Sequence, residues 1–220
     1  KPGPICREIE DCALVFAAVK FSIDYVSNAQ VDQPATITAS RGQVAYSLPG
    51  SEEKTLLGSR SDLGVGTVLW LDRNTATSAE LELFDDSKLT LLGGSALELT
   101  RMEVGRFINQ HAVLLTQESG PIRYATGDAI DVQLPAALVH LGGHGDYTLW
   151  LDGDRTRVLV YTGEARIGAV TVGENRRVEI DSHGTVSSVM DLPTPLLADG
   201  DFGQYEQGWQ ALDVPNSPLD

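Results

Sequence analysis

From Ala35 onward, apolar and polar residues alternate in short runs. ATITA and QVAYSL flank an Arg41-Gly42 turn, and TVLWL (67–71) follows the punctuation Gly64-Val65-Gly66. Ala79, Leu81 and Leu83, then Leu89 and Leu91, then Leu97 and Leu99 all fall on odd positions, with Glu, Ser, Lys and Thr between them. A strand alternates in this way when one face of its sheet is packed and the other is wet. Turns are predicted at Asp85-Asp86-Ser87 and Gly93-Gly94-Ser95.

Met102 to Gly120 is less regular, and then the pattern resumes. IRYATG, DVQLP, ALVHL, YTLWL, RVLVY, ARIGAVTV and RRVEI follow one another. Their separators are Gly142-Gly143, Asp152-Gly153-Asp154, Thr162-Gly163-Glu164 and Gly173-Glu174-Asn175. The glycines of Gly64-Val65-Gly66 and Gly142-Gly143 read as turn positions needing positive φ. Many strands of about five residues, spaced by roughly 8–12, predict an all-β fold: a short-stranded β-solenoid, a barrel or a β-sandwich. Helical periodicity is absent between 35 and 183. The two halves resemble each other, as a coil-by-coil solenoid would require, without a strict period.

Residues 5–26 (ICREIEDCALVFAAVKFSIDYV) read as a short helix or turn followed by an extended stretch, and NAQVDQPAT (28–36) as a junction. The expected organisation is a flanking segment over 1–34, a β domain over 35–186, and a linker with an extended tail over 187–220.

At 220 residues and 42% apolar content the chain can bury a core, which excludes a disordered reading. Its net charge of -15 opposes nucleic-acid binding, because phosphate recognition requires Lys and Arg to displace counterions. The longest apolar block, Ala13 to Val19, is far short of the roughly 20 residues a bilayer span needs. The opening KPGPIC suggests a removed targeting segment or a piece of a longer chain.

Candidate chemistry is sparse. Cys6 and Cys12 could close a small disulfide loop, pointing to an oxidising compartment, or stand as two thiols. A bridge requires a turn between them, since residues six apart on a helix face different ways. His140 and His144 have the spacing of a helical metal pair, but Gly142 and Gly143 intervene, so they are expected as loop imidazoles. His111 and His183 show no evident partner. No Gly-Xaa-Ser-Xaa-Gly elbow is present, and the carboxylates fall on wet strand faces or in turns, so no enzymatic activity, metal or cofactor is expected. Trp70 (VLWLD) and Trp150 (TLWLD) lie out of phase with their flanking leucines. They could form an aromatic contact surface for sugar or partner; the alternative is that both faces of their strands are covered, or that the N-terminal segment packs over the Trp side.

The runs ATITASRGQVAYSL and KTLLGSRSDLGVGTVLWLDRNTATSAELELFDDSKLTLLGGSALEL, with Gly42-Gln43-Val44, resemble the FecR-like domain, the extracytoplasmic region of iron-citrate sensor proteins and relatives. VQLPAALVHL, YTLWLDGDRTRVLVYTGEARI and AVTVGENRRVEIDSHGTV extend the resemblance, with Gly173 before the last strand, over about 35–186. Two departures stand out: Asp86 occupies the family's turn glycine, and GGHGDY (142–147) lacks its arginine-glycine-threonine. The resemblance implies an all-β, solenoid-like, non-enzymatic domain acting through protein contacts in cell-surface signalling or surface assembly. It also implies an extracytoplasmic location: periplasm, cell surface or secreted.

The tail LLADGDFGQYEQGWQAL (196–212) resembles the first strand of jelly-roll carbohydrate-binding modules, through Gly200-Asp201-Phe202 and Gly208-Trp209. That implies an alternative role as a carbohydrate-binding or adhesion-associated module. An extended tail packing Phe202 and Trp209 on the body reads equally well.

Overall fold

The computed structural model describes Lys20 and residues 30–51, 53–58, 62–74, 76–105 and 111–192. Cys6, Cys12, the predicted N-terminal helix or extended stretch, and the tail with Phe202 and Trp209 lie outside these residues. The described chain is almost all-β, laid out as two sheets packed face to face.

The first sheet runs from β4 (Thr55–Leu56) through β3 (Val44–Ser47), β6 (Val68–Leu71), β9 (Ala96–Gly105), β10 (His111–Ala125), β11 (Ile130–Gln133) and β12 (Leu138–Leu141) to β15 (Ala165–Ile167) and β16 (Val170–Val172). β1 (Gln30–Asp32) pairs with the far end of β9. The second sheet runs from β5 (Asp62–Leu63) through β2 (Ala35–Arg41), β7 (Ser78–Glu82), β8 (Lys88–Leu92), again β10, then β13 (Asp146–Asp152) and β14 (Arg155–Thr162) to β17 (Arg176–Ile180) and β18 (Met190–Asp191). Pairing is antiparallel except between β10 and β11. Beyond β10, hairpins alternate between the sheets: β11–β12 in the first, β13–β14 in the second, β15–β16 in the first, β17–β18 in the second.

The odd-numbered leucines do what alternation requires. Leu81, Leu83, Leu89, Leu91, Leu97 and Leu99 are at most 3% exposed and share one interior with Val113, Ile122, Val132, Leu149, Val158 and Val178. That single dry interior drives the two sheets together.

β10 joins both sheets and explains the irregular stretch. Between Met102 and Gly120 the described residues belong to the two longest strands. Alternation fails to show because the phase shifts twice. One register slip, between Leu114 and Thr116, places an extra residue on β9, so that Met102 is buried at an even position. A second lies between Gln117 and Ser119, so β10 buries Val113, Leu115 and Gln117 on one side of it and Ile122 and Tyr124 on the other. Each bulge bends its strand and re-aims the side chains that follow. Gly120 completes the bend at φ +74, with no room for a Cβ: one would lie 2.6 Å from Ser95 Cα.

Three other expectations change. Gln30–Asp32, read as a junction, is strand β1; an edge strand with exposed side chains carries no alternation to read. Met190–Asp191, read as linker, pairs with β17. At Gly142-Gly143 the left-handed residue is His144 (φ 56), while Gly142 accommodates a close neighbour, a Cβ there falling 3.3 Å from the Tyr147 hydroxyl. The buried Tyr147 uses that hydroxyl to tie the turn, lying 3.1 Å from Gly142 O and 3.2 Å from both Glu164 O and Glu164 N.

Candidate functional site

Side chains on the outer faces of the two sheets form the candidate surfaces. Trp70 and Trp150 do not meet. Trp70 belongs to β6, outward on the first sheet, and Trp150 to β13, outward on the second; Leu69, Leu71, Leu149 and Leu151 fill the core between them.

On the first sheet, cross-strand register lines up Leu56, Ala45, Trp70 and Ala96 in one row. Directly opposed residues sit close enough for their side chains to touch, and alanines on both sides leave the indole standing above its neighbours. The Lys54 ammonium lies 4.2 Å from the centre of the Trp70 ring, within cation–π range. At the edge of this row Leu56 is 67% exposed, and Leu48, just after β3, is 59% exposed. Edge leucines this exposed have no packing role in the described body.

On the second sheet, Arg123, Thr148, Leu159, Arg177 and Met190 form one register row, and Pro121, Trp150, Arg157 and Glu179 the next. Arg123 donates through Nε to Asp146 Oδ1 at 2.7 Å and through Nη2 to Oδ2. Its guanidinium is 5.9 Å from the Tyr161 ring centre, and that of Arg157 is 5.3 Å from the Trp150 ring centre. Leu159 and Leu192 form a second apolar cluster here, with Trp150 and Tyr161 packed against it.

Two of the imidazoles, those of His111 and His140, have partners that the sequence did not reveal. His140 Nδ1 is 2.7 Å from Asp131 Oδ1, its register partner on β11. His111 Nδ1 pairs with Asp128 Oδ2, and its ring meets Phe84 edge-on at 5.5 Å. His183 donates its backbone N–H to Asp181 Oδ1, which also accepts the Thr185 N–H. Those bonds hold the Asp181 carboxyl below its ordinary pKa, Thr185 contributing most. A shallow cavity of about 490 Å³, lined by Leu138, His140, Arg166, Ile167, Gly184 and Val186, opens beside β12 and β15. Arg166 on its wall donates to Glu164 Oε1 at 2.9 Å. Among the described residues no three His, Cys, Asp or Glu side chains converge as metal ligands would, and no helix is long and apolar enough to cross a membrane.

No family model and no curated protein matches the chain. The chain is similar to two crystal structures of a candidate anti-sigma factor from Parabacteroides distasonis ATCC 8503, at 2.50 Å and 1.65 Å. Each superposes with a TM-score of 0.46, at 13% and 12% identity, over 65% of this chain and 63% and 64% of theirs. The chain thus spans less than two thirds of the length of these neighbours. Similarity at this level carries no argument about family or role.

Proposed function

We propose that this chain is a non-enzymatic, extracytoplasmic domain of FecR type that works by contact with another protein, in cell-surface signalling or surface assembly. The reading rests on the Leu56–Ala45–Trp70 row, with Leu56 at 67% exposure. A contiguous apolar row rimmed by a cation, on an otherwise acidic molecule, has the chemistry of a protein contact. The sequence resemblance over 35–186 supports the same reading.

The alternative, a carbohydrate-binding surface, is less well supported. A sugar stacks its CH face on an indole, and at Trp70 that face is occupied by Lys54 at 4.2 Å. Arg157 stands similarly against Trp150.

A photo-cross-linking amino acid at position 56, in the full-length protein in intact cells of its source organism, tests the proposal. A discrete adduct with an envelope protein is expected, weakened by Trp70→Ala and absent when the probe sits at position 138. Selective binding on a glycan array, lost with Trp70→Ala, would overturn it in favour of the alternative.

A further inference from the structure

The first sheet ends at β4, and the outer side of that strand is open. The Leu57 N–H donates to Val44 O at 2.8 Å. Antiparallel bonds fall on every second residue, so Thr55 and Leu57 bond β3 while the N–H and C=O of Leu56 point away from it. Among the described residues no strand pairs with that side of β4. An open edge is a template for another chain, and proteins ordinarily blunt it. Here the side chains do the opposite: Leu56 is 67% exposed on the edge itself, and Leu48, in the turn before β4, is 59% exposed. The Lys54 ammonium, on the same face as Leu56, folds back to 4.2 Å from the Trp70 ring centre. Among the described residues no carboxylate pairs with that ammonium, although acidic residues outnumber basic ones 31 to 16.

We propose that the partner docks here by strand addition: an extended segment of another protein lies along β4, with an apolar residue beside Leu56 and an Asp or Glu two residues away, beside Lys54. The inference rests on the Trp70 row being a protein contact, and it names the mode and the chemistry of the partner. Three observations select this occupant. First, the outward N–H and C=O of Leu56 are the groups an added strand bonds, and such main-chain bonds supply affinity whatever the partner's sequence. Second, side chains repeat every two residues along a strand, so an apolar residue and a carboxylate at that spacing both reach the outer face that Leu56 and Lys54 share. Third, a carboxylate beside Lys54 supplies the counter-charge that the chain itself withholds, and opposite charges on neighbouring strands favour pairing. A second copy of this chain does not meet that need: antiparallel pairing about Leu56 sets Lys54 opposite Gly58.

The test places the photo-cross-linking amino acid at position 48, in the full-length protein in intact cells, and combines it with changes at 54 and 56. Leu56→Pro removes the outward N–H and spares the bonds to β3, which Thr55 and Leu57 make; proline is tolerated on an edge strand whose N–H faces outward. The adduct is expected to fall roughly tenfold, as for the loss of one interfacial hydrogen bond, and to persist with Leu56→Val, which keeps the N–H. Lys54→Glu should weaken it likewise and Lys54→Arg should not. Unfolding midpoints equal to the parent's show that the variants fold, and if Leu56→Pro lowers the midpoint the Lys54 pair decides. Mass spectrometry of the cross-linked peptide should find an Asp or Glu two residues from an apolar residue. An adduct indifferent to Lys54→Glu, an adduct indifferent to a folded Leu56→Pro, or a cross-linked segment without a carboxylate would overturn strand addition and leave the protein contact standing. Absence of any adduct from both position 48 and position 56 would remove the contact and this inference together.

Discussion

Tyr124 donates its hydroxyl proton to Gln117 Oε1 at 2.9 Å, across the bend of β10 and inside the core. The Gln117 amide then donates to Gly120 O at 2.7 Å and Leu149 O at 3.0 Å. One buried side chain thereby ties together the bend, the strand beyond it and the neighbouring strand of the second sheet. Gln117→Leu keeps the volume but leaves the Tyr124 hydroxyl and two carbonyls without this partner, at roughly 1–3 kcal/mol per buried group. A loss of about 3 kcal/mol or more is expected in urea unfolding. Tyr124→Phe, which orphans one acceptor, should lose about 1–2 kcal/mol.

The same pair sets the alkaline limit of stability. Burial pushes the Tyr124 hydroxyl well above its ordinary value of 10.0. The native state therefore keeps a proton that the unfolded chain gives up. Its contribution is intact below pH 10.0 and is lost as pH rises past that value toward the folded pKa. In that window stability should fall by about 1.4 kcal/mol per pH unit for each such tyrosine. Burial raises Tyr147 as well, with two backbone hydrogen bonds opposing the shift. Denaturant midpoints measured from pH 9 upward should show the decline, and Tyr124→Phe should flatten it.

Asp86 holds the third position of the β7–β8 turn at φ 64, where the resembled family carries glycine. A left-handed conformation costs a non-glycine residue roughly 1–2 kcal/mol, less for Asp than for most. The neighbouring Asp85 does the fixing: its carboxylate accepts Ser87 Oγ–H at 2.8 Å and Ser87 N–H at 3.2 Å. Asp86→Gly should therefore raise stability by about 0.5–1 kcal/mol, read as a higher midpoint in thermal unfolding. Asp85→Ala, which breaks the turn's own bonds, should lower it.

The sequence made the hairpins legible because each has one wet face, so Leu81, Leu89 and Leu149 announce their direction by parity alone. It showed β9 only through Leu97 and Leu99 and β10 only through IRYATG, and hid the stretch between, because two bulges reset parity there and the buried Gln117 looks polar to any pattern. It hid β1 and β18, whose pairing is made by backbone and leaves no side-chain signature. At the surface it singled out Trp70 and Trp150 as out of phase, but not that they belong to opposite sheets. That depends on which hairpin is laid on which sheet, a long-range choice. The cations over their rings were equally invisible: Lys54 reaches Trp70 from beyond the end of β3, while Arg157 reaches Trp150 across a strand pair.

Gly127 shows how the two halves are fitted together. Its N–H donates to Ser87 Oγ at 2.8 Å, and the Asp128 N–H lies 3.4 Å from Asp85 Oδ2, so the turn of the first half is held by the backbone that opens the second. The approach leaves no space. A Cβ on Gly127 would fall 1.9 Å from the Asp85 carbonyl oxygen and 3.3 Å from Ser87 N, both backbone atoms that cannot rotate away. Gly127→Ala must separate the halves here and break those bonds. It should therefore cost about 3 kcal/mol or more, in the range kept for core disruption and lost hydrogen-bond networks. Gly173, also a turn glycine, has nothing within 4 Å of the position a Cβ would take and no left-handed φ. Gly173→Ala should stay within about 0.5 kcal/mol of the parent. Equal losses in the two variants, measured by urea unfolding, would mean that close contact between the halves at Gly127 contributes nothing to the fold.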